Sequence, residues 1–577
     1  MRCGPQTVGL VWLLASLFGG AGFSGVARAS EAPATTKSIP EPELPPELDR
    51  APPKIAIPQS PAQARAAAGV EPILPEMSDP EVGTPPLAPG ATPDDIEDAL
   101  EALPPVEGRH SALAAMPNWR ASREALLAFY AGRAHIAIWT DATGFNSAGR
   151  AIIARLRRAD EDGLDLSGLT IPEPKASIKD RALLAKAEVG LAETILAYAF
   201  QASGGRIDPA RISPMITAKA AIIDPIRALS MVATAKDPDA ALAGFNPPQK
   251  GYRDLREELA SLRGSVRDKR SSLDPLEATT LQGGPDSHGL IRAQFDSLGA
   301  NAKARRAGPR TQIAAVDSPQ SADEADAGQF RALSQESPAT RALEASIVAN
   351  MEMWRWEPRD MGEERIEINV ADFTLRVLRG DETLLSARII VGKPDTQTPI
   401  FSNAMRYILV NPSWRVPQSI IRKEMLPKLA DDPDYLTRQG FEVTQKGDTI
   451  EVLQPPGERN ALGHIAFMFP NEHSVYLHDT PSRDLFMAAR RAFSHGCVRV
   501  DQPMRLAELV MGGNWSEQRL RSLIGGTERT IFLPRPVPIH IEYFTAFVDE
   551  AGAFQTRDDL YGHMQRVESA LGLGRRS

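Results

Sequence analysis

Residues 494–499 read Ser494-His495-Gly496-Cys497-Val498-Arg499, and His478-Asp479-Thr480 lies upstream. A thiol of ordinary pKa, about 8.5, is only a few per cent thiolate near neutral pH, so a cysteine nucleophile needs a base beside it. Four of the nine histidines, His464, His473, His478 and His495, fall in the region that holds Cys497, the clustering that a Cys-His nucleophilic site requires. His478 ends an expected strand, Val475-Tyr476-Leu477-His478, and the helix-like stretch Arg483 to Phe493 would bring the chain back to present Cys497 opposite it. Gly496 has no side chain, so the backbone can bend tightly there, and the amides of Gly496 and Cys497 could face a tetrahedral oxyanion.

The chain has two cysteines, Cys3 and Cys497. Its first 29 residues read as a secretory signal: Arg2 gives a positive end, Val8 to Phe18 an apolar run, and Ala27-Arg28-Ala29 a small-residue cleavage site, with cleavage expected between Ala29 and Ser30. Cys3 leaves with that segment. An unpaired cysteine in an oxidising compartment is a liability unless its chemistry is used. A free cysteine is often a small buried hydrophobe, but export, singularity, the adjoining His-Gly and His478 at a strand end all favour a reactive one. His464 and His473 lack such support and read as surface or groove residues. Zinc bound by His478, His495 and Cys497 is a rival reading, although the sequence has no HExxH, no second cysteine nearby and no fixed carboxylate partner.

At 577 residues the chain has room for about three domains. A net charge of -9, with Lys and Arg scattered, leaves no basic track for a nucleic-acid backbone. No later segment approaches the roughly 18 apolar residues of a membrane span, so no transmembrane segment is expected in the mature form.

The elements that must position the site come late in the chain. Residues 30–111 are rich in Pro and Ala and predict a disordered linker; a packed helical domain follows over 112–263, with Gly204-Gly205 stopping a long helix. Residues 264–338 read as a low-complexity, partly disordered insertion, and 339–362 as a connecting helix through Trp354 and Trp356. From 363 to 550 the period changes to alternation: Ile366, Ile368 and Val370, then Phe373, Leu375 and Val377, then Leu385, Ala387 and Ile389. That pattern predicts a mostly β domain with an insertion at about 411–445, and 551–577 is left as a C-terminal tail. The expected fold class is α+β, multidomain.

These residues resemble the L,D-transpeptidases with a YkuD-type catalytic domain, whose motif is a His, a spacer, then Ser/Thr-His-Gly-Cys, a small apolar residue and Asn or Arg. The likeness to the large periplasmic Gram-negative subgroup extends through Trp354-Arg355-Trp356, Val391-Gly392-Lys393-Pro394, Gln397-Thr398-Pro399, Asn411-Pro412-Ser413-Trp414, Phe467-Met468-Phe469-Pro470-Asn471 and Arg557-Asp558-Asp559-Leu560-Tyr561-Gly562. Residues 112–262 also look like the subgroup's helical scaffold, whereas 264–338 lack the aromatic-Gln and Asp-Gly pattern of its usual glycan-binding module.

The resemblance implies a periplasmic enzyme that forms 3-3 cross-links between meso-diaminopimelate residues through a cysteine thioester, with no cofactor. Cys497 would be the nucleophile and His478 the base and later acid, its ring oriented by the backbone carbonyl of Asp479. His495 and Gly496 would belong to the oxyanion region. Arg499, Ser494, Tyr476 and Trp414 are candidates for substrate contact, and the 411–445 insertion resembles a cap. Peptidoglycan stem peptides are the implied partners, with other cell-wall enzymes as further ones. Transfer to water, to a protein amine, or a purely wall-binding scaffold are the alternatives.

Overall fold

The computed structural model describes residues 90–103, 119–173, 180–281, 337–447 and 449–573. The signal segment, most of the 30–111 linker and residues 282–336 lie outside the described residues.

The helical part is built around α4 (Arg181–Gly204), which follows α1 (Pro93–Glu101), α2 (Trp119–Ala131) and α3 (Ser147–Leu156). Nearly the whole of α4 beyond its first turn is apolar and buried, as a central helix must be. Its one deeply buried acid, Glu188, accepts the backbone N–H of Ile138 at 2.7 Å and of Trp139 at 3.0 Å, and the hydroxyls of Thr140 and Tyr130. A carboxylate is tolerated there because each oxygen has donors. After it come α5 (Pro225–Thr234) and α6 (Lys250–Leu281), then α7 (Pro338–Trp354).

The linker expectation needs correcting at its end. Thr92 caps α1 with a reciprocal Thr92–Asp95 capping box, and Ile96, Ala99 and Leu100 bury in the core around α4. The proline richness concealed a helix start, since Pro93 at its first position costs nothing there. The supposed insertion at 264–338 likewise begins inside α6, which continues to Leu281.

The β part contains β1 (Glu364–Asn369), β2 (Thr374–Arg379), β3 (Glu382–Gly392) and β4 (Phe401–Val410). The insertion holds β5 (Trp414–Arg415), β6 (Glu442–Lys446) and β7 (Thr449–Gln454). Then come β8 (Ile465–Met468), β9 (Leu477–His478), β10 (Ala492–Ser494), β11 (Val498–Val500) and β12 (Arg529–Glu542). The main sheet runs β10-β3-β11-β9-β8-β4-β12-β1-β2, and β2 also pairs with β3, so the sheet closes on itself around Ile366, Ile368, Ile389, Ile408, Phe467, Ile539 and Ile541. Closure removes the unpaired edge that an open sheet would leave along β2.

Three local expectations change. The strand before His478 is shorter, because Val475 and Tyr476 precede β9. Arg483 to Phe493 forms one 3-10 turn over Arg483–Met487 and then enters β10, so the return to Cys497 is mostly irregular. The insertion is larger than 411–445: β5 pairs with β7 and β7 with β6, carrying it to Gln454 around its own small core of Val416, Ile421, Met425, Leu436 and Val452.

The C-terminal stretch is no tail. A strand at Phe554–Thr556 pairs with Ala546–Val548, and a last helix, His563–Ala570, packs Met564 and Val567 into the main core. Helical and β parts are also bonded directly. Thr217 N–H donates to the Ile400 carbonyl at 3.0 Å and Ile400 N–H to Met215 at 2.8 Å. Among the described residues no helix is long and apolar enough to cross a membrane.

Candidate active site

The site is built by two short neighbouring strands. β9 and β11 pair in parallel with Leu477 opposite Val498 and His478 opposite Arg499, and the Val498 N–H to Tyr476 carbonyl bond of 3.2 Å sets Tyr476 beside Cys497. Leu477, Val498 and Val500 face the buried core. Side chains alternate along a strand, so Tyr476, His478, Cys497 and Arg499 share the other face.

The half-buried Cys497 thiol neighbours Tyr476, whose backbone N–H and hydroxyl both favour the thiolate form. The Trp414 indole on β5 acts in turn on that hydroxyl, favouring its ionised form, so the insertion reaches the neighbour of the nucleophile. Burial pushes the thiol up to about 11, against the lowering effect of the Tyr476 N–H, the Arg499 charge and the Tyr476 hydroxyl.

His478 is buried, with its ring centroid 5.8 Å from that of Tyr476. Its Nδ1 lies 2.5 Å from the Asp479 carbonyl oxygen. A carbonyl can only accept, so Nδ1 carries the proton and Nε2 keeps its lone pair. Burial, reinforced by the Arg499 charge, holds the imidazole down at about 3 despite that bond to Asp479. The resting pair is therefore a neutral thiol and a neutral imidazole.

The peptide that orients His478 is itself fixed. The buried Asp479 carboxylate accepts the His464 N–H at 3.0 Å and pairs with Arg483. Gly463 makes this possible: its φ is +62°, and a Cβ there would lie 2.5 Å from Asp479 Cγ.

Arg499 is mostly buried, and its Nε has no hydrogen-bond partner among the described residues. A guanidinium held that way is costly unless a ligand anion or oxyanion completes it.

Other candidates stand differently from expectation. Ser494 is buried, donates its hydroxyl to the Cys497 carbonyl at 2.5 Å and accepts the Gly496 N–H at 3.2 Å. It braces the turn from inside. The same bond occupies the Gly496 amide, so that amide is not free for an oxyanion; the contribution of Gly496 is its φ of +117°, which a side chain would strain. His495 is exposed and turns to the insertion, its Nε2 2.6 Å from Glu424 Oε1. Among the described residues no three His, Cys, Asp or Glu side chains converge as metal ligands, so the zinc triad of His478, His495 and Cys497 does not assemble. Of the two histidines set aside, His473 meets the Thr217 hydroxyl at 2.9 Å and His464 lies 3.4 Å from Glu458.

Sequence reasoning missed Glu424, 71 positions from its partner, for which the local pattern carries no signal. It named Thr398 only within the Gln397-Thr398-Pro399 likeness and gave no role to its hydroxyl, which donates to the Gly496 carbonyl at 2.8 Å. A cleft of about 480 Å³ beside the His495–Gly496 turn is walled by Met215 of the helical part as well as by Gln397, His473 and Val475.

Residues 363–537 match the family model of the L,D-transpeptidase catalytic domain, YkuD, and residues 124–259 match that of the Scaffold domain. A Haemophilus influenzae protein, whose L,D-transpeptidase name is itself provisional, is 30% identical over 224 residues, which are 36% of this chain and 45% of that protein. The chain thus spans about half the length of the curated relative it matches. Among solved structures, an L,D-transpeptidase from Mycobacterium smegmatis is 15% identical, covering 31% of this chain and 58% of that one with a TM-score of 0.18. L,D-transpeptidase 1 of Mycobacterium tuberculosis is 14% identical over 31% and 62%, with a TM-score of 0.16. Scores that low add no argument to the family matches. On those matches, the chain carries an L,D-transpeptidase catalytic domain of the YkuD family joined to a Scaffold domain.

Proposed function

We propose that this chain is an exported peptidoglycan L,D-transpeptidase that makes 3-3 cross-links through a thioester on Cys497. The observation that carries the proposal is the shared face of Tyr476, His478, Cys497 and Arg499, which brings a thiol, a neutral base with a free Nε2 lone pair, a phenol and an unpaired cation together.

On attack the Cys497 proton passes to His478 Nε2, and sulfur bonds to the carbonyl carbon of the third stem residue, meso-diaminopimelate. The bond to the terminal D-Ala breaks, and the imidazolium returns the proton to the departing amine. The side-chain amine of a second stem then attacks the thioester carbon, losing a proton to His478. An amide forms, and the thiol is released on reprotonation. With the Gly496 amide occupied, Arg499 is the group that would meet the oxyanion or a substrate carboxylate. The Asp479 carbonyl would favour the imidazolium as it forms.

Purified protein given disaccharide-tetrapeptide monomers should release D-Ala and yield dimers joined between diaminopimelate residues, read by mass spectrometry. Shortened stems alone would replace transfer with hydrolysis. Dimers from Cys497→Ala protein would remove the thioester.

A further inference from the structure

Gly496 sits at φ +117°, where backbone is not held by local sterics, yet the residue after it must aim a sulfur. Its carbonyl is held from behind, by residues that belong neither to the motif nor to the cleft.

Thr398, between β3 and β4, is fully buried. Its hydroxyl accepts the Gly392 N–H at 2.9 Å, so its single proton is committed to the Gly496 carbonyl at 2.8 Å. Tyr561, from the C-terminal stretch, closes the arrangement. Its hydroxyl donates to the Gly392 carbonyl at 2.7 Å and accepts the Thr398 N–H at 3.2 Å. Every donor in this ring has one acceptor, which leaves a single arrangement of protons.

Neither anchor can slide. A Cβ on Gly392 would stand 2.1 Å from the Thr396 carbonyl oxygen, so strand and loop are in closest contact there. Lys393 N–H and the Thr396 hydroxyl both bond the Ser494 carbonyl at 3.1 Å, clasping the other end of the turn. Tyr561 N–H in turn donates to the Tyr543 hydroxyl at 2.7 Å, which donates to Asp559 at 2.8 Å.

We propose that Thr398 and Tyr561 are positioning residues that set the Gly496 peptide and thereby aim the Cys497 thiol, although neither meets substrate. This rests on Cys497 being the nucleophile. It makes the last stretch of the chain part of the catalytic machinery, since a misplacement of about 1 Å at a reacting atom can cost on the order of a hundredfold in rate.

The test compares Thr398→Val, Thr398→Ser and Tyr561→Phe in the full chain, reading kcat, KM, melting temperature and iodoacetamide alkylation of Cys497. Thr398→Val should lower kcat about tenfold or more with KM within about twofold, and Thr398→Ser should recover most of it, because only the hydroxyl is needed. Tyr561→Phe, which keeps the ring, should lower kcat in the same way and serves if Thr398→Val does not fold. Wild-type kcat in both Thr398→Val and Tyr561→Phe overturns the proposal. So does a Ser variant as impaired as Val, with losses that track melting temperature. Alkylation needs no stem peptide. Should the wild type make no cross-links, a Thr398→Val alkylation rate at pH 9 that differs by about threefold or more still supports the positioning role, and an unchanged rate overturns it.

Discussion

At the scale of residues, the site keeps its reactive groups neutral until substrate arrives. Burial raises the Cys497 thiol to about 11 and lowers the His478 imidazole to about 3, so the ion pair is disfavoured at rest. Under the proposed mechanism proton transfer would then accompany attack. Alkylation of Cys497 by iodoacetamide should accordingly rise with pH to a midpoint well above that of an ordinary thiol. Arg499→Gln should move that midpoint further up, because the guanidinium favours the thiolate. His478→Asn should lower kcat by roughly 10²- to 10⁴-fold, the usual worth of a positioned base, while leaving alkylation at high pH unchanged. A wild-type midpoint below about 7 would mean a resting thiolate-imidazolium pair and contradict the scheme. The sign of the stability effect follows from the same burial. The His478 pKa is about 3 in the fold and about 6.5 in the unfolded chain. Its burial therefore costs nothing above the unfolded value, and stability falls as pH drops from there toward 3, where the unfolded chain binds a proton that the fold refuses. The contact of His478 with the Asp479 carbonyl was legible because a motif carries it. The bonds that Ser494 makes to Gly496 and Cys497 were not legible, because groups so close in sequence can satisfy each other within the turn and spacing alone cannot reveal that they do.

At the scale of elements, alternation revealed β1 to β3, since Ile366, Ile368, Leu375 and Val377 bury one face while polar neighbours line the other. It failed where bonding is irregular, as at Arg483–Phe493, whose apolar residues suggested a helix although the chain takes only one turn before β10. The insertion was legible in place but not in extent, because its last strand pairs back with residues at its start. What links it to the site is a π-helical turn, Ile421–Met425, that carries Glu424 to His495, with the Trp414 indole acting on the Tyr476 hydroxyl. Glu424 is about half exposed and His495 about one third, so the pair should contribute only about 0.2–1 kcal/mol. Glu424→Ala should therefore speed hydrogen exchange across residues 418–431 by up to about fivefold without unfolding the catalytic sheet. Unchanged exchange would mean that Trp414 and the insertion's own core hold it unaided.

At the scale of the molecule, the Scaffold part is bonded to the catalytic part as one would expect of a shared framework. Thr217 N–H donates to the Ile400 carbonyl at 3.0 Å and its hydroxyl meets His473 beside the cleft, while Glu352 and Arg355 of the connecting helix reach the Ile207 N–H at 2.9 Å and the Tyr252 hydroxyl at 3.2 Å. Helical period and the Gly204-Gly205 stop made α4 readable, whereas α1 and the final helix were hidden by proline richness and by short amphipathic length. Their burial depends on partners distant in sequence, which composition does not encode. The framework converges on one claim, that Cys497 is an acyl-accepting nucleophile. Intact mass after incubation with a carbapenem tests it most directly, because the strained lactam is an acyl donor whose ring opens onto sulfur and leaves the whole molecule attached. One carbapenem mass on the wild-type chain, mapped to Cys497 and absent from Cys497→Ala, is the expected result. Folded wild-type protein that gains no mass, or an adduct that persists in Cys497→Ala, would contradict it.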